Sequence, residues 1–154
     1  MNLSELGIKA RAASVLLAKM NVETKNKALI ACADALVKES NSILEANAKD
    51  VLIGREKGMN EGLVDRLMLT EERIKGIAEG LEQVAALDDP VGEVLDMKKR
   101  PNGLLIGKKR VPLGVVGMIY EARPNVTPDA FALCFKSGNA VILRGGSDAI
   151  NSNI

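Results

Sequence analysis

Over residues 1–90 the apolar positions recur at helical spacing. Leu6, Ala10, Ala13, Leu17 and Met20 step by four, three, four and three, which lines one face of a helix and predicts a core stripe. Thr24 has the chemistry of an N-cap for a second helix, with Leu29, Cys32 and Leu36 on its inner side and Lys25 and Lys27 in solvent. A third helical stretch follows Ser40 and turns Ile43, Ala46 and Val51 inward, until the glycine-containing segment from Gly54 to Gly62 breaks it. Thr70, followed by Glu71 and Glu72, opens a fourth helix whose Ile74, Ile77, Leu81 and Val84 repeat at three, four and three. Asp88, Asp89 and Pro90 end it.

From Gly92 the pattern becomes strand-like. Pro101, Asn102 and Gly103 separate "EVLDMKKR" from "LLIGKKRV" and predict a β-hairpin. The apolar run "PLGVVGMIY", Pro112 to Tyr120, suits one buried strand of a parallel sheet. Thr127 as N-cap, Pro128 at the first helical position, Asp129 near the positive dipole end and Gly138 as C-terminal cap enclose a helix of about ten residues. "AVILR", Ala140 to Arg144, is a second buried strand, and Gly145, Gly146 and Ser147 follow, the serine a natural N-cap. The chain is therefore expected to be α/β in three parts: a helical segment 1–90, a β-hairpin arm 91–111 and a βαβ unit 112–154.

Composition narrows the chemistry. A chain of 154 residues with 47% apolar content can bury a core, and 21 Lys and Arg against 20 Asp and Glu leave a net charge of +1. The absence of histidine removes histidine bases and every metal site that needs an imidazole, and no metal is expected. Cys32 and Cys134 are too few for a disulfide framework, no apolar run reaches the ~18 residues of a membrane span, and a cytoplasmic protein is expected. Charge is concentrated in the hairpin, where Lys98, Lys99, Arg100, Lys108, Lys109 and Arg110 face Asp96. Such an arm suits nucleic-acid phosphates, but it lacks interleaved aromatics, so a solvated or subunit-contacting ribbon is the preferred reading.

Ligands of parallel sheets bind beyond the carboxyl ends of the strands, here the loops Glu121 to Asn125 and Arg144 to Ser147. "RGGS" offers a guanidinium, two glycines that let a ligand approach the backbone, and free N–H groups at a helix start, a set suited to an anionic cofactor. It is neither a dinucleotide fingerprint nor a P-loop, and on spacing alone a plain turn at Gly145 and Gly146 fits equally well.

The stretch "PLGVVGMIYEARPNVTPDAFALCFKSGNAVILRGGSDAINSN", extended back through "MKKRPNGLLIGKKRVP" and "ADALVKESNSILEANAKDV", closely resembles the N-terminal part of the glutamate 5-semialdehyde dehydrogenase family of the aldehyde dehydrogenase superfamily. The resemblance implies that 112–154 begins a Rossmann-type NADP-binding sheet. It also implies reduction of gamma-glutamyl phosphate by NADPH in proline biosynthesis, through a thioester on cysteine, in a homo-oligomer. Asn125 stands where the superfamily keeps an oxyanion-hole asparagine. Arg144 takes the place of a strand-end lysine, and Ser147 that of a glutamate common in NAD-using relatives, so a 2′-phosphate is favoured. Gly145 and Gly146 become turn and close-approach residues, and Cys134 a packed thiol. The family's nucleophilic cysteine lies in a domain this sequence does not contain, and the chain is expected to be an N-terminal fragment, inactive alone. The competing reading is a non-catalytic binding or assembly module.

Overall fold

Short polar side chains start the N-terminal helices by taking up N–H groups that have no partner in the first turn. A computed structural model describes residues 2–121 and 123–154; Met1 and Ala122, the latter inside the expected Glu121 to Asn125 loop, lie outside the described residues. Helix α1 (Leu3–Leu17) begins with a capping box, Asn2 accepting from the Glu5 N–H at 2.8 Å and Glu5 accepting in return from the Asn2 N–H. Helix α2 (Val22–Lys38) is capped by Asn21 and not by the expected Thr24, whose N–H donates to the Asn21 side chain at 2.8 Å. An asparagine in the right place wins, and the helix gains most of a turn. Helix α3 (Ser40–Glu56) runs through Gly54 and ends inside the segment expected to break it, and at the far end of that segment a further helix begins, α4 (Glu61–Leu67), capped by Asn60. Helix α5 (Glu71–Ala86) starts on Thr70 as expected, its hydroxyl accepting from the Arg73 N–H at 3.1 Å.

The core forms where small residues let helices approach. Leu29 and Ala33 of α2, Ala78, Leu81 and Ala85 of α5 and Ala132 of the last helix make one cluster, flanked by Cys32, Leu36, Ile77 and Val84. Val51, Val64, Leu67 and Ala149 make a second. The α1 stripe is less buried than its spacing predicts: Leu6, Ala10, Leu17 and Met20 are half-buried, Ala13 is exposed, and Ser14 is the buried position. Helix α1 packs mainly on the narrow parallel strand pair, which covers part of its face.

Lys25 departs furthest from expectation. It is fully buried, with Nζ 2.6 Å from Asp89 Oδ2 and 3.1 Å from the Lys136 carbonyl oxygen. Lys136, also buried, donates to Asn26 Oδ1 at 2.6 Å and to the Ala85 carbonyl at 2.8 Å. Lys27 stays in solvent, paired with Glu23. These two lysines join α2, the end of α5 and the last helix, and each ammonium finds polar partners that make its burial tolerable.

Strands β1 (Val94–Lys99) and β2 (Leu105–Lys109) pair antiparallel around the Pro101–Gly103 turn, where Gly103 has φ +86° and Arg100 N–H donates to Leu104 O at 2.7 Å. Nearly all their side chains are exposed. Strands β3 (Val115–Ile119) and β4 (Ala140–Arg144) pair in parallel from Val115 opposite Ala140 to Ile119 opposite Arg144. Between them runs α6 (Val126–Lys136), so the βαβ unit is present. Its N-cap position is Asn125 and not Thr127, which lies inside the first turn and hydrogen-bonds Asn153. Gly138 ends it at φ +75°, and a Cβ there would lie 2.9 Å from Pro112. Ser147 does not cap an α-helix; Ser147–Ala149 is a single 3-10 turn with Gly146 before it. Among the described residues no helix is long and apolar enough to cross a membrane.

Candidate functional site

The parallel register sets Ile119 beside Arg144, so the loops after β3 and β4 leave the sheet side by side. The Tyr120 N–H donates to the Arg144 carbonyl at 3.1 Å and extends the pairing by one residue. The Tyr120 hydroxyl meets Thr127 Oγ1, which donates to Asn153 Oδ1 at 2.6 Å. One polar chain thus fastens the first turn of α6 to the segment after β4.

Asn125 is exposed at the start of α6 with helical backbone angles, φ −65° and ψ −24°. Its side chain makes no capping bond; instead Nδ2 donates to Asp129 Oδ2 at 3.3 Å, a long contact. Burial pushes the Asp129 carboxyl above the ordinary carboxylate range, with the Asn125 amide opposing it. Asn125 and Asp129 line an open cleft of about 480 Å3 between α4, α5 and α6.

The Arg144 guanidinium is exposed and folds back on the Gly145 carbonyl. The Gly145 and Gly146 N–H groups make no hydrogen bond among the described residues, and the Ser147 side chain is exposed beside them. Two free N–H groups, a guanidinium and a hydroxyl at one turn form a donor set that fits a nucleotide phosphate or ribose. Gly145 has a packing duty too: a Cβ would lie 3.2 Å from the Tyr120 ring and 3.3 Å from Asn153.

Two anchors of this loop escaped the sequence reading. Asp50 of α3, buried, accepts from the Asn151 and Ser152 N–H groups, from Asn151 Nδ2 at 2.7 Å and from Ser152 Oγ at 2.6 Å. Asn47 donates to the Leu67 carbonyl and accepts from the Leu69 N–H at 2.7 Å. Their signal was their place on the inward stripe of α3 with Ile43 and Gly54, where polar residues need buried partners.

Cys134 is buried, and burial pushes its thiol above the usual range, which disfavours the thiolate. In the hairpin Lys98 pairs with Asp96 and Arg110 with Glu93, so its basic excess is smaller than six cations against Asp96 alone.

No family model matches the chain. It is 60% identical over 153 residues to a gamma-glutamyl phosphate reductase of Lachnospira eligens, covering 99% of this chain and 37% of that protein. A reductase of the same name from Clostridium novyi is 62% identical over 144 residues, 94% of this chain and 34% of its own length. The crystal structure of the Thermotoga maritima gamma-glutamyl phosphate reductase superposes with a TM-score of 0.96 at 48% identity, over 99% of this chain and 37% of that one. The chain matches the N-terminal portion of gamma-glutamyl phosphate reductases. A Saccharomyces cerevisiae gamma-glutamyl phosphate reductase gives a TM-score of 0.93 at 34% identity, covering 39% of its chain. The α/β fold, with its helical N-terminal region and small sheets, is therefore that of the reductase N-terminal portion. The chain spans little more than a third of the length of the reductases it matches.

Proposed function

We propose that this chain forms the oxyanion- and cofactor-holding part of a reductase that converts gamma-glutamyl phosphate to glutamate 5-semialdehyde with release of phosphate. The names of its relatives support the reaction class. The observation that carries the residue assignment is Asn125: at the helix start its amide neither caps α6 nor braces the turn, and it is exposed to a cleft.

In this reading a cysteine thiolate from outside residues 1–154 attacks the acyl carbon, and the bond to phosphate breaks. Cys134 is buried and its thiol is pushed up, which argues against its being that nucleophile. As the carbonyl oxygen gains charge, Asn125 Nδ2 turns from its long contact with Asp129 and donates to it, with the α6 dipole in support. Arg144, Gly145, Gly146 and Ser147 hold the nucleotide, the guanidinium on the 2′-phosphate. Bound there, NADPH supplies the hydride. Two free thiols fit a reducing, cytoplasmic setting, and the exposed Leu95, Met97 and Leu105 of the ribbon suit a homo-oligomer.

The test is a chimera in which this chain replaces the matching N-terminal portion of the Lachnospira eligens reductase. Arg144→Glu is expected to raise KM for NADPH about ten- to a hundredfold, the equivalent of one charge-assisted contact of about 1.5–3 kcal/mol, and to leave NADH nearly unchanged. Equal losses for both cofactors would show that Arg144 does not read the 2′-phosphate.

A further inference from the structure

Two clefts at the ends of β3 and β4 share a wall made of Arg66, from α4, and Arg123, from the loop after β3. One cleft, about 480 Å3, carries Asn125; the other, about 370 Å3, reaches Gly146 and Ser147. Among the described residues neither guanidinium has an ion-pair partner, although other arginines of the same region do: Arg73 holds Asp65 at 2.9 Å, and Arg55 lies 4.0 Å from Glu61. Of the acids of the first cleft, Asp65 is held by Arg73, and Asp129 makes the long 3.3 Å contact with Asn125. The second cleft carries Glu121 and Asp148 beside Gly146 and Ser147, and in the reading above it belongs to the nucleotide. The two unpaired guanidiniums therefore favour an anion on the Asn125 side.

We propose that Arg66 and Arg123 are an anion-recognition pair that determines specificity for an acidic acyl substrate, gripping one of its oxyanion groups while Asn125 faces the reacting carbonyl. The inference rests on the reductase reading above. A guanidinium fork matches phosphate and carboxylate alike, and gamma-glutamyl phosphate carries both, as an acyl phosphate and an α-carboxylate.

Running the chimera in reverse separates the two groups, because phosphate and semialdehyde are then different substrates. The double variant Arg66→Ala, Arg123→Ala is expected to raise one of these two KM values at least tenfold, with KM for NADP within about twofold and partial recovery in the double lysine variant. A rise for phosphate assigns the pair to the acyl phosphate; a rise for semialdehyde assigns it to the carboxylate. Unchanged values for both, or an effect on NADP alone, overturn the pair and leave the reductase reading intact. Absence of turnover in the unsubstituted chimera counts against that reading instead. The pair is then decided by titrating the 154-residue chain with inorganic phosphate and with glutamate, following the amides of residues 66 and 123. Saturable shifts lost in the double variant support it, and no shift with either anion overturns it.

Discussion

In the chimera, Asn125→Ala is expected to lower kcat by about a hundredfold or more while KM for NADPH changes little. An oxyanion donor acts only as charge develops on the carbonyl oxygen, so its loss falls on the chemical step. The folded state loses little in the exchange, since the Asn125 side chain caps nothing and makes only the 3.3 Å contact to Asp129. Asn125→Asp keeps the shape, replaces a donor with a charge that repels the oxyanion, and is expected to be worse than alanine. Near wild-type turnover in both variants would make Asn125 a residue of the turn. Asp129→Ala serves as the control, because it removes the amide's ground-state partner and keeps the amide itself.

The largest expected effect on stability lies at the opposite end of α6. Lys25→Ala is expected to cost about 3–5 kcal/mol, measured by urea denaturation of the 154-residue chain. It removes a fully buried ammonium from Asp89 and from the Lys136 carbonyl, and it empties the space of the lysine stem. Among the described residues the Asp89 carboxylate would keep only its bond from the Val91 N–H. Burial works against that carboxylate, but the bonds from Lys25 and Val91 and the nearby positive charge of Lys136 outweigh it and hold its pKa below the ordinary value of 3.8. A carboxyl with a lowered folded pKa stabilises the fold fully above the ordinary value, and the benefit is lost as pH falls through the lowered one. Below about pH 4 the wild-type chain should therefore lose this contribution, and Asp89→Asn should show a flatter acid limb. Lys25→Met with Asp89→Asn, which removes both charges and keeps the volume, should recover much of the loss. A cost under about 1 kcal/mol for Lys25→Ala would mean that water replaces the ammonium freely.

What the sequence disclosed divides along the range of the forces involved. The start of α5 at Thr70, the hairpin turn at Pro101–Gly103 and the end of α6 at Gly138 rest on neighbours within a few residues and were legible; strands β3 and β4 lie where expected, but they are mostly half-buried and not buried, with Ile119 exposed. The cap of α2 was misplaced by three residues, because Asn21 and Thr24 have the same short-range chemistry and only the backbone decides between them. Helix α4 was hidden by Gly62 within it and Gly58 before it; the Asn60 cap and the burial of Val64 and Leu67 offset the cost of Gly62. Lys25 was misread because a lysine on a helix reads as solvated, and the partners that bury it, Asp89 and Lys136, lie 64 and 111 residues away. Asp50 is a similar case, with partners 101 and 102 residues distant. At the candidate site the sequence named side chains and loops; it did not show the Tyr120–Thr127–Asn153 fastening or the arginine wall, which exist only once α4 and α6 are folded against the strands.

The Asp50 carboxylate changes what kind of object the glycine loop is. With β4 holding one side and Asp50 gripping Asn151 and Ser152 on the other, residues 145–150 are a span fixed at both ends. A tether would have to surrender its freedom when a nucleotide arrived, and that loss would be subtracted from the affinity. Here the ordering is completed during folding, through the Asp50 carboxylate, so any ligand of the loop would meet a preorganised span.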